Sequence, residues 1–326
     1  MKKTTILLLA ALAGQFWLFP SIGQAAEPVK ICFGSASSAL LPIAKEQGFF
    51  KAAGVEVAML PYTSGKDSIQ AMLDGKCDLA TVAQTPVVHH SLSRRDFLIL
   101  ANLSVSDDFE KIIVRRDRGI NKPADLAGRR FALPRFATQH YLLDTYLTTN
   151  GLAPETVERR YVHHNEALKL FRAGEVDGIV HREPEVAHLL AEFGGRAKVL
   201  NSRSLCVSVY LLVGRRDFVE QQPRVIEKLL HGLVRAEDFA RRQPAAAQEI
   251  AARTYGADRE QIKLIWGLHN YRISLDQSLL FILENMARWE TGLMEAAPRP
   301  AMPDYLEFIY FDALHAVRPE AVTIIH

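Results

Sequence analysis

Leu73-Asp74-Gly75-Lys76-Cys77-Asp78 runs into Leu79-Ala80-Thr81-Val82, and later Arg172-Ala173-Gly174-Glu175-Val176-Asp177 runs into Gly178-Ile179-Val180. Each stretch ends a helical pattern at a glycine, turns, places an aspartate and starts an apolar run. Glycine suits the left-handed residue that closes a helix, and the short apolar run after it reads as a buried strand. The same sentence written twice argues for two similar α/β lobes.

The surroundings of both copies agree. Before the first copy, Val29–Gly34 reads as a strand, 41–51 as a helix, Gly54 as a turn, Val55–Leu60 as a strand and Ser68–Leu73 as a helix. Asp78–Ala83 is the strand that follows. Before the second copy, Arg130–Leu133 reads as a strand and Thr138–Thr149 as a helix stopped by Asn150-Gly151. Val157–Val162 is then a strand, Asn165–Ala173 a helix and Val176–Val180 a strand. Strand and helix alternating at these lengths build parallel βαβ units with helices covering the sheet. From about Asp217 onward the pattern is mostly helical. Pro223 and Pro244 each suit a first helical turn. Val225, Ile226, Leu229, Leu230, Leu233 and Val234 give one apolar face. Asp258 and Gln261 form a capping-box pair, and 275–289 and 303–316 read as two further helices.

The first residues specify a destination. Lys2 and Lys3 precede an apolar run from Ile6 to Phe19, followed by small residues up to Ala25 and Ala26. That order is a secretory signal peptide, cleaved near Ala25 or Ala26, and it predicts an exported protein. The apolar run is short for a membrane span, which takes about 20 apolar residues. Residues 1–26 are therefore assigned to the signal peptide, 27–108 with 207–326 to one lobe, and 109–206 to the other. The 39 basic and 37 acidic residues balance once Lys2 and Lys3 are removed, which argues against a nucleic-acid binder. The three cysteines, Cys32, Cys77 and Cys206, read as buried small hydrophobes. The alternative is a single Cys32–Cys206 bond, formed in an oxidising compartment.

Ligands of parallel α/β sheets bind beyond the carboxyl ends of the strands. That rule selects four loops, two in each lobe. They hold Ser35, Ser37 and Ser38; Gln84 and Thr85; Arg135, Phe136, Thr138 and Gln139; and His181 and Glu183. The first and third loops lead into helix N-termini, where free N–H groups and the dipole favour anions. Arg135 would add a fixed charge and Phe136 a stacking face. Ser38 and Thr138 have a plainer reading as helix caps. No catalytic signature is found: neither a Gly-x-Ser-x-Gly elbow nor a His-Glu-x-x-His pair is present. His89-His90 and His163-His164 are adjacent pairs that diverge and read as surface histidines. No metal or cofactor is expected.

Leu41-Pro42-Ile43-Ala44-Lys45-Glu46-Gln47-Gly48-Phe49-Phe50-Lys51, with Gly54-Val55-Glu56-Val57 after it, resembles the opening of the sulfonate, taurine, nitrate and thiamine-precursor binding proteins of bacterial ABC importers. Further similar stretches follow in order: Ala124-Asp125-Leu126-Ala127-Gly128-Arg129-Arg130, Ala137-Thr138-Gln139-His140-Tyr141-Leu142-Leu143, Ala173-Gly174-Glu175-Val176-Asp177 with Glu183-Pro184, and Asp217-Phe218-Val219 with Pro223. The resemblance spans nearly all of the chain after residue 26. It implies a type II periplasmic binding fold, two Rossmann-like lobes with a hinge and a cleft between them, and it places the exported protein in the periplasm. Two positions depart from the family pattern. His181 stands where the family often has tryptophan, and Arg135-Phe136 where it commonly has a small glycine-containing turn.

The implied role is capture of a small molecule, anionic or planar, from the sulfonate, taurine-like, carboxylate or pyrimidine classes. The lobes would hinge near Ser106–Phe109 and Leu205–Ser208, and the closed form, as a monomer, would dock on an ABC transporter permease. Rival readings are a thiamine-pyrimidine-synthase-like enzyme on the same fold and a ligand-sensing domain that presents its ligand to a receptor.

Overall fold

The computed structural model describes residues 27–294 and 299–325. The expected signal peptide falls on residues 1–26, outside the described residues. Among the described residues no helix is long and apolar enough to cross a membrane.

The chain first lays down β1 (Val29–Phe33), α1 (Leu40–Glu46), α2 (Phe49–Ala52), β2 (Val57–Pro61), α3 (Gly65–Leu73), β3 (Leu79–Ala83), α4 (Gln84–Ser91) and β4 (Phe97–Ser106). It then crosses to build β5 (Glu110–Arg115), β6 (Arg130–Leu133), α5 (Thr138–Thr149), β7 (Glu158–Tyr161), α6 (His164–Ala173), β8 (Gly178–Arg182), α7 (Glu185–Phe193) and β9 (Ala197–Leu200). It returns for β10 (Ser208–Arg215), α8 (Arg216–Gln221), α9 (Pro223–Arg242), α10 (Pro244–Tyr255), α11 (Arg259–Leu268), β11 (Asn270–Ser274), α12 (Gln277–Gly292) and α13 (Asp312–Val317).

Two mixed sheets result. One has the order β11-β4-β10-β3-β1-β2, the other β7-β6-β8-β5-β9. They share one wiring. In each sheet one strand pairs in parallel with the next two in chain order, β1 with β2 and β3, and β6 with β7 and β8. In each, a strand that begins just after the chain crosses between sheets inserts antiparallel next to the third: β10 beside β3 and β5 beside β8. The two copies of the glycine-aspartate turn sit at equivalent places. Gly75 and Gly174 both take left-handed backbone, φ +76° and +74°.

Apolar burial explains the layers. Ile31, Leu79, Val82, Leu98, Leu100 and Leu212 fill the core around the six-stranded sheet together with Leu40, Leu41 and Ile43 from α1. The expected face of α9 contributes Ile226, Leu229, Leu230 and Leu233, while Val225 and Val234 stay half-buried. The five-stranded sheet has a core on each face. Phe131, Leu133 and Val180 meet Leu142, Leu143 and Leu147 of α5 on one side. Ala132 and Ile179 meet Leu168, Phe171 and Leu189 on the other. Burying side chains of this size stabilises by about 1.5–3 kcal/mol each, which orders the helices against the sheets.

Several boundaries differ from the sequence reading. The helix expected over 41–51 is two pieces, because Gly48 adopts φ +68° and breaks it. The helix expected over 303–316 is a 3-10 turn at Tyr305–Phe308 followed by the short α13. Asp258 and Gln261 do make the reciprocal cap: the Gln261 N–H donates to Asp258 Oδ1 at 2.8 Å and the Asp258 N–H to Gln261 Oε1 at 3.2 Å.

The cysteine reading needs correction. Cys32 is bonded to Cys77, not to Cys206. β1 and β3 are neighbours in one sheet, so Cys32 in the middle of β1 lies 6.1 Å, Cα to Cα, from the residue that leads into β3. Cys206 is free and buried against the core of the five-stranded sheet.

Candidate functional site

A cavity of about 400 Å³ opens between the loops of the two sheets. Its first wall is the turn after β1, Gly34 to Ser37. The second is the turn after β8, Arg182 to Glu185, with His188 one helical turn on. The third comes from the α10–α11 connection, Tyr255 to Ala257, with Gln261 and Ile265, and Phe109 of the crossing segment completes it.

The turn after β1 is held by its own hydroxyls. Ser35 caps a short 3-10 turn by accepting the Ser37 N–H at 3.3 Å, and its hydroxyl donates to Ser37 Oγ at 3.2 Å. Ser38 is wholly buried behind it, and its hydroxyl has no partner. Thus Ser35, not Ser38, is the capping residue. Opposite, Glu183 accepts the Ala187 N–H at 2.9 Å. Burial pushes the Glu183 carboxyl above the usual carboxylate range. One carboxylate oxygen of Glu185 and the hydroxyl of Tyr255 are buried without partners. Burial likewise pushes the Tyr255 phenol well above its ordinary value. Arg182 lines the cavity, and its charge acts on Glu110, its partner across the β5–β8 pair. A cation, two carboxyl groups and serine hydroxyls lining one space suit a small molecule with both acceptor and donor groups.

Of the residues expected to bind, Ser35, Ser37 and Glu183 meet at this cavity. Gln84 does something else. It is fully buried, and its amide is spent on the returning segment: Nε2 donates to the Val207 carbonyl and Oε1 accepts the Val209 N–H, both at 3.0 Å. Gln84-Thr85-Pro86 is the first turn of α4 rather than a loop. Thr85 and Thr138 contact each other, Oγ1 to Oγ1 at 2.7 Å. Thr138 makes no capping bond, and Ala137 holds the cap position. Arg135 is exposed and lies over the Phe136 and Tyr161 rings at 4.7 and 5.5 Å. Phe136 adopts φ +53°, the backbone region that favours glycine. Gln139 is half-buried in the first turn of α5. His181 is buried beside the cavity, with His164 5.9 Å away ring to ring. Desolvation lowers the His181 pKa, and its Nε2 has no partner.

Sequence reasoning missed Arg182, Glu185, Tyr255 and Gln261. Arg182 lies between His181 and Glu183, and Glu185 two positions after Glu183. Tyr255 carries no local signal and Gln261 only that of a helix cap, because a helical hairpin distant in the sequence brings them to the cavity.

The family model described as NMT1/THI5 like matches residues 36–247. The chain belongs to the NMT1/THI5-like family. As a family member it is 24% identical to the taurine-binding periplasmic protein of Escherichia coli (strain K12), over 71% of this chain and 70% of that one. It is 25% identical to a putative aliphatic sulfonates-binding protein of Bacillus subtilis (strain 168), over 71% of each. Its fold is similar to that of the periplasmic aliphatic sulphonate binding protein SsuA from Escherichia coli. The TM-score is 0.72 at 19% identity, covering 87% of this chain and 92% of that one. It is also similar to the periplasmic nitrate-binding protein NrtA from Synechocystis PCC 6803, with a TM-score of 0.69 at 16% identity, covering 90% and 88%. The fold of this family member is therefore that of the periplasmic binding proteins.

Proposed function

We propose that this chain is the solute-binding protein of an ABC importer. On this reading it is exported to the periplasm after cleavage near Ala25 or Ala26. It then closes two lobes, 27–108 with 207–326 and 109–206, around one small organic molecule. The lobes hinge where the chain crosses, at 106–109 and 205–208, and the closed monomer delivers its cargo to a membrane permease. The observation that carries the reading is the cavity shared by the β1 and β8 turns, lined by Arg182, Glu183, Glu185 and Tyr255.

The cargo this suits is a small polar molecule of the sulfonate, taurine-like, carboxylate or aminopyrimidine classes. Its acidic or acceptor group meets Arg182, and its N–H group meets Glu185. Relatives named for taurine and aliphatic sulfonates support a binding role in preference to turnover. Arg135 sits away from the cavity, so the anion grip falls to Arg182.

Mass spectrometry of the natively purified protein, under conditions that keep small molecules bound, tests this directly. A co-purified molecule of the stated classes is expected. The same molecule should raise the melting temperature by mass action, and R182A and E185Q should each remove most of that rise. Chemical conversion of the molecule on incubation would instead favour the enzyme reading.

A further inference from the structure

Three helices meet in a seam between the two bodies, at residues other than those that line the cavity. α4 and α12 belong to the body around the six-stranded sheet, and α5 belongs to the other body. Thr85 of α4 pairs with Thr138 of α5 at 2.7 Å, both buried. The Trp289 indole N–H of α12 donates to Asp144 Oδ2 of α5 at 2.9 Å. The Phe136 ring stacks on His89 of α4, with centroids 6.3 Å apart and planes 25° apart, and meets Trp289 edge-on at 6.4 Å. Trp289 also packs edge-on against His140 at 5.0 Å and Tyr141 at 5.3 Å.

Both halves of the seam are braced from behind. His89 Nδ1 lies 2.5 Å from Glu290 Oε1, and Glu290 is fully buried. Asp144 is also held by Arg159 at 2.7 Å, so its charge is already matched. The Phe136 N–H donates to His140 Nδ1 at 3.3 Å, and the other His140 nitrogen lies 3.2 Å from the Tyr161 hydroxyl. These bonds hold Phe136 in its φ +53° conformation, where a residue with a Cβ is disfavoured. A backbone kept there by its surroundings, at a contact between two bodies, is the kind of local strain that marks a functional device. None of the seam residues lines the cavity.

We infer that α4, α5 and α12 form a latch that holds the two lobes shut without ligand. Closed is then the resting form, and ligand gains access when Trp289 and Phe136 release their partners. The latch supplies contacts that exist only in the closed state, so it shifts the open–closed balance as a ligand would, but from within the chain. The inference rests on the two-lobe closure proposed above and not on any ligand.

The test uses the full chain without its first 26 residues, unfolded in guanidinium with the disulfide intact, dialysed to strip small molecules, and refolded. X-ray scattering of the stripped protein should give a compact radius of gyration, about 19 Å for a chain of this length. W289F keeps the ring packing but loses the donor. F136G relieves the backbone and removes the ring. Each should expand the stripped protein by roughly 1 Å or more on the same scale, with native circular dichroism. T85V, close to isosteric, is the reserve should either variant fail to fold. Hydrogen exchange should show the Phe136 and His140 amides, which donate to His140 Nδ1 and the Ala137 carbonyl, losing protection in the variants. A stripped wild type already as expanded as W289F would overturn the latch, as would variants that stay compact. A ligand screen that finds nothing leaves these scattering outcomes unchanged, so the two readings fail separately.

Discussion

Asp78 and Asp177 hold the same post in the two sheets. Asp78 Oδ2 accepts the Lys30 N–H of β1 at 2.9 Å, and Asp177 Oδ2 accepts the Arg130 N–H of β6 at 3.0 Å. Their carbonyls accept the N–H groups of Arg215 and Arg115, at 3.0 and 2.8 Å. Each of those arginines then forks onto the aspartate two residues along, Asp217 or Asp117. An aspartate at this turn sets the start of one strand and its register on the next.

The two posts differ in depth, and that sets unequal costs. Asp177 is buried and also takes Arg118 Nη1 at 2.6 Å and Arg130 Nε at 3.4 Å, while Asp78 is half-buried and takes no such arginine. D177A should cost about 2–4 kcal/mol, because it strands the buried partners of a charge. D78A should cost about 1 kcal/mol, the ordinary worth of one hydrogen bond. Urea melts of the two variants check the ranking, and equal costs would contradict it.

The Cys32–Cys77 bond closes a loop with a sequence separation of 45. Chain-entropy arguments credit a loop of that size with about 4 kcal/mol, most of it from restricting the unfolded chain. The double variant C32A/C77A should therefore melt well below wild type, while C206A should change little in comparison. Calorimetry on the three proteins measures both effects. Both cysteines of the bond are buried, so reductant alone should act slowly on the folded protein.

Gly178 opens β8 against the ring of Phe131, which is fully buried. A Cβ at 178 would lie 2.4 Å from two ring carbons. G178A should cost about 1–3 kcal/mol by overpacking. G195A is the control, since nothing lies within 4 Å of a Cβ there, and it should be near neutral. Chemical denaturation distinguishes the two.

His269 gives a pH dependence with a definite sign. It is buried against Phe109 at 4.7 Å and Tyr271 at 5.7 Å, with Nδ1 2.9 Å from the Ile265 carbonyl and Nε2 unpartnered. Burial lowers its pKa from 6.5 to about 4. The unfolded chain therefore binds the extra proton between those values. The stability His269 contributes is present in full above pH 6.5 and is lost as pH falls through 4. The loss is up to about 3 kcal/mol. Glu110 and Glu183, whose carboxyls burial pushes up, act in the opposite sense, so the informative quantity is a difference. H269N keeps a donor for Ile265 and should flatten the fall in melting temperature from pH 6.5 to 4 relative to wild type. An unchanged slope would show that another group carries the acid sensitivity.

Much of the architecture was legible because it is local. A helix ending in glycine, an aspartate and an apolar run appear together within a few residues, and 73–82 and 172–180 announce both sheets. The strands β4, β5, β9, β10 and β11 were not read, because they take their meaning from pairing across the chain. The cysteine pairing failed for the same reason: only the β1–β3 adjacency brings Cys32 to Cys77. At the site, loops after β1 and β8 could be named from strand direction alone. Whether Gln84 faced a ligand could not, since its amide is claimed by Val207 and Val209 far along the chain. Arg135 read as an anion grip, yet its guanidinium stacks on two rings outside the cavity.

The two crossings also set an order of assembly. Every strand of the five-stranded sheet lies between residues 110 and 200, so that sheet is complete as soon as its own stretch of chain exists. The six-stranded sheet cannot close so early. β10, which separates β3 from β4, arrives only after the whole of the other sheet has been made. During synthesis, β3 and β4 must therefore wait with open edges while the intervening unit folds, and the half of the molecule begun first is the half finished last.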